Sequence, residues 1–373
     1  MSHLKDLAIY RRGIQITSGN ALVARLAKTV FDLRIPVLTD TAAHSLVVEG
    51  GAVRGALVQD QQGEFRIGVR RAVVLACGRF AHDIARVARA YPHVVRGSEH
   101  FSPTPSANTG DGNGMAEDVG GTCEIRFPSS AAWMPISGVP TGRGKFALFP
   151  RLVDRYKPGV IAVNRRGKRF SNESNSYHGV GVAMIADAGD EPETTAWPIC
   201  DHTTVQKYGI GYAKPAPVPV GGYVRTGCLL TDRRVRGLAK IAGIDPDGLE
   251  QTVRYFDTGA AVGEDPQFGR GATAFNRVFG DAEHTPNPNV APIVNAPFYA
   301  LKLWMGDLRT FDELTTDSVG RLIGAGANPI LGLYAVGNDR ASAMGGNSGA
   351  GVMLAPIMTL GSVTGRHLAA LSD

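Results

Sequence analysis

Cysteine is scarce in this chain and nowhere paired. Its four residues, Cys77, Cys123, Cys200 and Cys228, stand far apart and form no C-x-x-C motif. That spacing argues against a disulfide framework or a zinc site and fits a reducing compartment, with the cytoplasm as the default. No apolar run approaches the ~20 residues of a membrane-spanning helix, and the N-terminal stretch lacks a signal-peptide pattern. Basic residues are not clustered either. A net charge of +5 over 373 residues is small, and no run of Lys or Arg marks a nucleic-acid stripe. The last absence is a motif, because no G-x-G-x-x-G follows a strand anywhere. Asn108-Thr-Gly-Asp-Gly-Asn-Gly-Met-Ala116 has the glycines, but Ser102-Pro-Thr-Pro-Ser106 precedes it where a dinucleotide fingerprint needs a hydrophobic strand.

What is present is the composition of a globular protein, 43% hydrophobic and 20% charged, long enough for two domains. Asn20 can cap a helix in which Leu22, Val23, Leu26, Val30 and Phe31 recur at helical spacing. Ile35 to Thr39 reads as a strand. Ser45–Glu49, Val53–Gln59 and Phe65–Val69, separated by turns, read as a three-stranded meander. Arg71 to Phe80 is a further apolar strand ending in glycine. Beyond Arg151 the chain changes character. Val160 begins a strand and a polar loop, residues 190 to 295 are rich in turn residues, and Pro246 to Phe256 is a helix with Leu249, Val253 and Phe256 on one face. Near the end, Leu333–Val336 reads as a buried parallel strand. Glycines 337, 345, 346, 349 and 351 follow it, and then a helix with Pro356 in its first turn. A strand, a glycine loop and a helix N-terminus together favour an anion or an electron-rich ring.

The residue strings add a resemblance. Gly332-Leu-Tyr-Ala-Val-Gly-Asn338, the loop to Pro356, Val163-Asn-Arg-Arg-Gly-Lys-Arg-Phe-Ser-Asn-Glu173 and Gly306-Asp-Leu-Arg-Thr310 resemble the succinate dehydrogenase/fumarate reductase-type flavoproteins. Within them the chain is most similar to the 3-oxosteroid 1-dehydrogenase branch, over about residues 15 to 370. The resemblance implies an α/β fold: an incomplete Rossmann-like FAD-binding domain of the glutathione-reductase type with an inserted α+β cap. It implies segments 1–150 and 296–373 for the FAD-binding domain and 151–295 for the cap. The family's first FAD-holding βαβ unit has no counterpart in the sequence, so a second polypeptide supplying it is one expectation and a non-catalytic remnant another.

The same resemblance implies FAD as cofactor, a small-molecule, steroid-like or other cyclic ketone as substrate, and α,β-dehydrogenation. Tyr177 stands where that branch has its base, and Gly351 offers its backbone N–H to the substrate carbonyl. The branch's second carbonyl donor, the tyrosine of a Tyr-Pro pair, is missing, and Ser348 lies nearest that place. Cofactor contacts are implied for Cys77, Gly78, Asp111, Gly112, Asp307, Leu308, Gly337, Asn338, Gly349, Ala350, Gly351 and Val352. Arg79 and Arg309 replace glycines of the family pattern. A tyrosine base needs help to ionise at neutral pH, and His178, Arg165 and Arg169 are the local candidates. Asp312 and Glu313 read as a solvated turn beside the flavin. Dicarboxylate chemistry is less supported, since 304–314 contains no histidine and Arg309 alone makes no clamp.

Overall fold

The computed structural model describes residues 2–123, 125–142 and 145–371. It divides into one unit of Met1–His44 with Leu57–Arg66 and another of Ser45–Ala56 with Ile67–Asp373. In the first, the helix starts earlier than the sequence suggests. It runs Ser18–Asp32 with Thr17, not Asn20, at the N-cap, and none of its residues is buried. Ile35 to Thr39 forms no strand. Ile35, Val37 and Leu38 are each more than half exposed, and a strand needs a neighbour to take its backbone hydrogen bonds. The meander is formed: β1 (Ala42–Glu49), β2 (Ala52–Asp60) and β3 (Gly63–Gly68) make a three-stranded sheet in that order.

β4 (Val73–Leu75) lies parallel to β13 (Pro329–Ala335), with Leu333 opposite Val73 and Ala335 opposite Leu75. This is the buried parallel pair the apolar run near the C-terminus called for. A short strand β12 (Arg321–Ile323) borders β13 on its other side. Gly332 has a φ of +74°, and a Cβ there would stand 2.3 Å from the Val53 carbonyl, so only glycine fits. Leu75, Leu333, Ala335, Met115, Leu314 and Leu322 form the core around this pair.

The large sheet has seven strands. They are β5 (Ala131–Gly142), β6 (Lys145–Pro150), β7 (Val160–Val163), β8 (Thr195–Cys200), β9 (Leu230–Asp232), β10 (Phe298–Ala300) and β11 (Leu303–Thr310). Their order is β6-β5-β11-β8-β10-β9, with β7 also on β8. This sheet draws on segments on both sides of residues 150 and 295, because β11 pairs with β5 from Leu303–Ser137 to Thr310–Ala131. Ile161, Val163, Trp197 and Ile199 of this sheet pack against Leu249, Val253 and Phe256. Those three share one face of the helix Pro246–Ala260, which Asp245 caps. Burying each such side chain contributes ~1.5–3 kcal/mol.

The last helix, Leu354–Ala370, places Pro356 in its first turn as expected and buries only Thr364. Ile357 and Leu360 are half-buried and Val363 is exposed. No described helix is long and apolar enough to cross a membrane.

Candidate active site

Tyr177 is the first residue of the helix Tyr177–Ala188, and the loop before it is held by buried charge. Arg169 donates from Nε to Glu173 Oε1 at 2.8 Å and from Nη2 to Oε2 at 2.7 Å. Its other edge donates twice to Asp265, both at 2.8 Å. Arg270 reaches Ser174 Oγ at 3.0 Å and the carbonyls of Arg155 and Lys157 at 2.8 Å. Arg155 donates to the carbonyls of Glu173 and Asn175, and the Tyr156 hydroxyl donates to Asn175 at 3.0 Å. Burial pushes the Glu173 carboxyl up, but Arg169, helped by Arg270 and the Ala162 N–H, more than offsets this and holds it below its ordinary range. Residues 173 to 175 are thus fixed from both sides. Ser176 then caps the helix through the Gly179 N–H at 2.9 Å.

This clamp delivers the Tyr177 hydroxyl to the glycine loop. The oxygen lies 2.7 Å from Ser348 Oγ and donates to the Gly349 carbonyl at 3.1 Å. The ring packs with Met134, Ile136 and Phe311. A cavity of about 270 Å³ opens beside it, lined by Ser176, Phe275, Met344, Asn347, Ser348, Gly349 and Val352. Burial raises the Tyr177 pKa, while the Ser348 hydrogen bond and the charges of Arg309 and Arg155 act against that rise. The three local candidates for activating it do not serve. Arg169 is spent on Glu173 and Asp265, and Arg165 pairs with Glu193 at the surface. Burial lowers His178 to about 4, which leaves it neutral, and its Nδ1 accepts from the Trp133 N–H.

A second convergence lies past β4 and β13. Asp339, which no sequence pattern singled out, accepts from the Gly78 N–H at 2.8 Å. A Cβ on Gly112 would stand 2.0 Å from its Oδ1. The same residue's carbonyl takes the Leu314 N–H at 3.0 Å. Cys77, Gly78, Asp111, Gly112, Gly337 and Asn338 are thereby gathered around one acid, whose only sequence signal was its place just after Gly337-Asn338. Burial lifts Asp339 to about 7 and Cys77 to about 11. Gly337 and Gly351 both have positive φ, and a Cβ on either would meet nothing within 4 Å. Ala350 and Gly351 are exposed and Val352 is half-buried.

Residues 307 to 313 differ most from expectation. The Asp307 carboxylate is fully buried and already engaged, by Tyr91 at 2.6 Å and Ser102 at 2.5 Å. That side chain is taken up inside the fold, while Leu308 is half-buried beside the cluster of Met134, Ile136 and Phe311. Asp312 and Glu313 form no solvated turn. Asp312 accepts from the Arg126 and Phe127 N–H groups. Glu313 takes Asn113 Nδ2 at 2.7 Å and the Thr310 hydroxyl, and burial raises its pKa to about 8. Burial thus disfavours its charged form and weakens its opposition to negative charge nearby.

A family model described as FAD binding domain matches residues 1–354. The chain belongs to that family. It is 39% identical over 370 residues to 4-oxocyclohex-2-ene-1-carboxylate 5-dehydrogenase of Sinomonas cyclohexanicum, covering 99% of this chain and 62% of that protein. It is 34% identical over 363 residues to 3-oxosteroid 1-dehydrogenase of Mycobacterium tuberculosis, covering 94% and 63%. The crystal structure of 3-ketosteroid delta1-dehydrogenase from Sterolibacterium denitrificans superimposes with a TM-score of 0.88 at 32% identity, over 98% of this chain and 67% of that one. The chain thus spans about three fifths of the length of the curated relatives it matches.

Like other members of the FAD-binding-domain family, it takes FAD as its cofactor. The residues fit that group. Asn338 Oδ1 and Asp339 Oδ1 are buried acceptors without a donor among the described residues, and ribityl hydroxyls are donors.

Proposed function

We propose that the chain takes part in FAD-dependent dehydrogenation of a cyclic ketone at the carbons α and β to its carbonyl. In this reading β4, β13 and their loops hold part of the cofactor, and the sheet of 131–310 carries the cap. The carrying observation is the junction of Tyr177 with Ser348 and Gly349. It sets a phenol oxygen from the cap against the cofactor loop, at the wall of a cavity.

FAD, when bound, supplies the acceptor for the hydride lost from the β-carbon. Tyr177 takes the α-proton. The Gly351 N–H and the Ser348 hydroxyl stand on the same loop to steady the carbonyl as it gains enolate character. Arg309 and Arg155 favour the phenolate, against the burial that disfavours it. The relatives named for oxocyclohexene carboxylate and oxosteroid substrates support a cyclic ketone as the substrate class.

Dye-coupled turnover of a cyclic ketone by the FAD-loaded protein tests this. Tyr177→Phe should lower kcat by ~10²–10⁴ with little change in substrate binding. Wild-type turnover should climb as pH rises past neutrality, because burial holds the phenol proton. A mutant that keeps most of its turnover, or a flat pH profile, returns Tyr177 to packing alone.

A second reading rests on a different observation. Val23, Leu26, Phe31, Leu33, Ile35, Val37 and Leu38 all stand exposed, an apolar surface of the kind partners cover. Under this reading a further polypeptide segment completes the cofactor grip, and the chain by itself holds FAD weakly. Saturation in a low-micromolar FAD titration, followed by flavin fluorescence, argues against it.

A further inference from the structure

Arg309 is 4% exposed, yet it makes no ion pair among the described residues. Its single hydrogen bond runs from Nε to the Thr310 carbonyl at 3.3 Å. The Phe311 ring lies 5.5 Å from the guanidinium carbon and supports its plane. Arg79 comes close enough that the two positive charges oppose each other, and the Arg79 Nη1 is buried with no hydrogen-bond partner among the described residues. A buried charge without a counter-ion is costly, so natural chains pair such groups or use them.

The acid nearest by charge does not supply the pairing. Glu313 is committed to Asn113 and Thr310, and burial disfavours its charged form. Asp307, the other carboxylate felt by Arg79, is held by Tyr91 and Ser102. Neither guanidinium makes a direct ion pair among the described residues, although the charge of Asp307 reaches Arg79, and Tyr177 at the proposed reaction centre feels the charge of Arg309.

We propose that Arg309, flanked by Arg79, recognises a carboxylate carried by the substrate ring, making a cyclic keto acid the preferred substrate class. The inference rests on the dehydrogenase reading for the location of the ring. Guanidinium is suited to this task, since its fixed fork matches the two carboxylate oxygens. A relative named for a ring that bears both a ketone and a carboxylate is consistent with it. The competing source of the anion is the cofactor itself, through its phosphates.

Calorimetric titration in the presence of saturating FAD separates these. The probes are 4-oxocyclohexane-1-carboxylate and its neutral carboxamide, binding to the wild type, Arg309→Gln and Arg309→Lys. The wild type should prefer the carboxylate by about tenfold or more. Arg309→Gln should lose that preference, Arg309→Lys should keep part of it, and FAD affinity should stay within about twofold. Arg309→Gln should also melt no lower than the wild type, because it removes an uncompensated charge. No preference in the wild type, or a preference surviving Arg309→Gln, overturns the proposal. So does a loss of FAD affinity in place of carboxylate affinity, or a large drop in melting temperature. Binding is read without turnover, so absent dehydrogenation would count against the proposed reaction and leave this result standing.

Discussion

Arg169 and Arg309 are buried to about the same degree and are arranged in opposite ways. Arg169 donates four hydrogen bonds to two carboxylates and lies over the Phe256 and Phe268 rings. Arg309 has one backbone carbonyl and a second arginine for company. A guanidinium satisfied by its own chain fixes a loop, and here that loop is the one ending at Tyr177. An unsatisfied one at the same depth has no structural return, which directs attention to what it would bind. Burial alone does not distinguish the two, whereas the inventory of partners does.

The largest expected effect breaks the satisfied side. Arg169→Met leaves Asp265 without its ion-pair partner and Glu173 with only Arg270 at 3.4 Å, and removing one partner of such a buried pair costs about 3–5 kcal/mol. Urea unfolding measures it. A cost near that of a surface ion pair would mean the network does not hold the loop.

A smaller effect sharpens the unsatisfied side. Glu313 has a folded pKa of about 8 against an ordinary 4.5. The folded state therefore retains a proton that the unfolded chain gives up. Its contribution is fully present below pH 4.5 and is lost as pH rises toward 8, at up to about 1.4 kcal/mol per pH unit. Glu313→Gln, which cannot ionise, should flatten the stability profile across that window. An unchanged slope would show that Glu313 is already ionised at neutral pH and serves as the missing counter-ion.

Much of this was legible in the sequence where local pattern and packing agree. Leu249, Val253 and Phe256 share a helix face at 3.6-residue spacing, and all three are in the core. The Leu333–Val336 run read as a buried parallel strand, and its first three residues lie beside β4. Ile35 to Thr39 had the same strand-like composition without a neighbour to pair with, and composition carries no information about that. The links from Asp339 to Gly78 and Gly112 join residues far apart in the chain, so no spacing rule reaches them. Asp312 and Glu313 resembled a solvated turn because charge usually means water. Their burial depends on Asn113, Thr310 and two backbone N–H groups that only the fold brings to them.

We infer that this chain's residues serve oxidation of a cyclic ketone beside a flavin. Anaerobic mixing of the FAD-loaded protein with 4-oxocyclohexane-1-carboxylate, with no other electron acceptor present, tests it most directly. The visible absorbance of oxidised flavin should bleach in a single turnover as an unsaturated keto acid forms. Flavin that stays oxidised while the keto acid is bound would contradict the account.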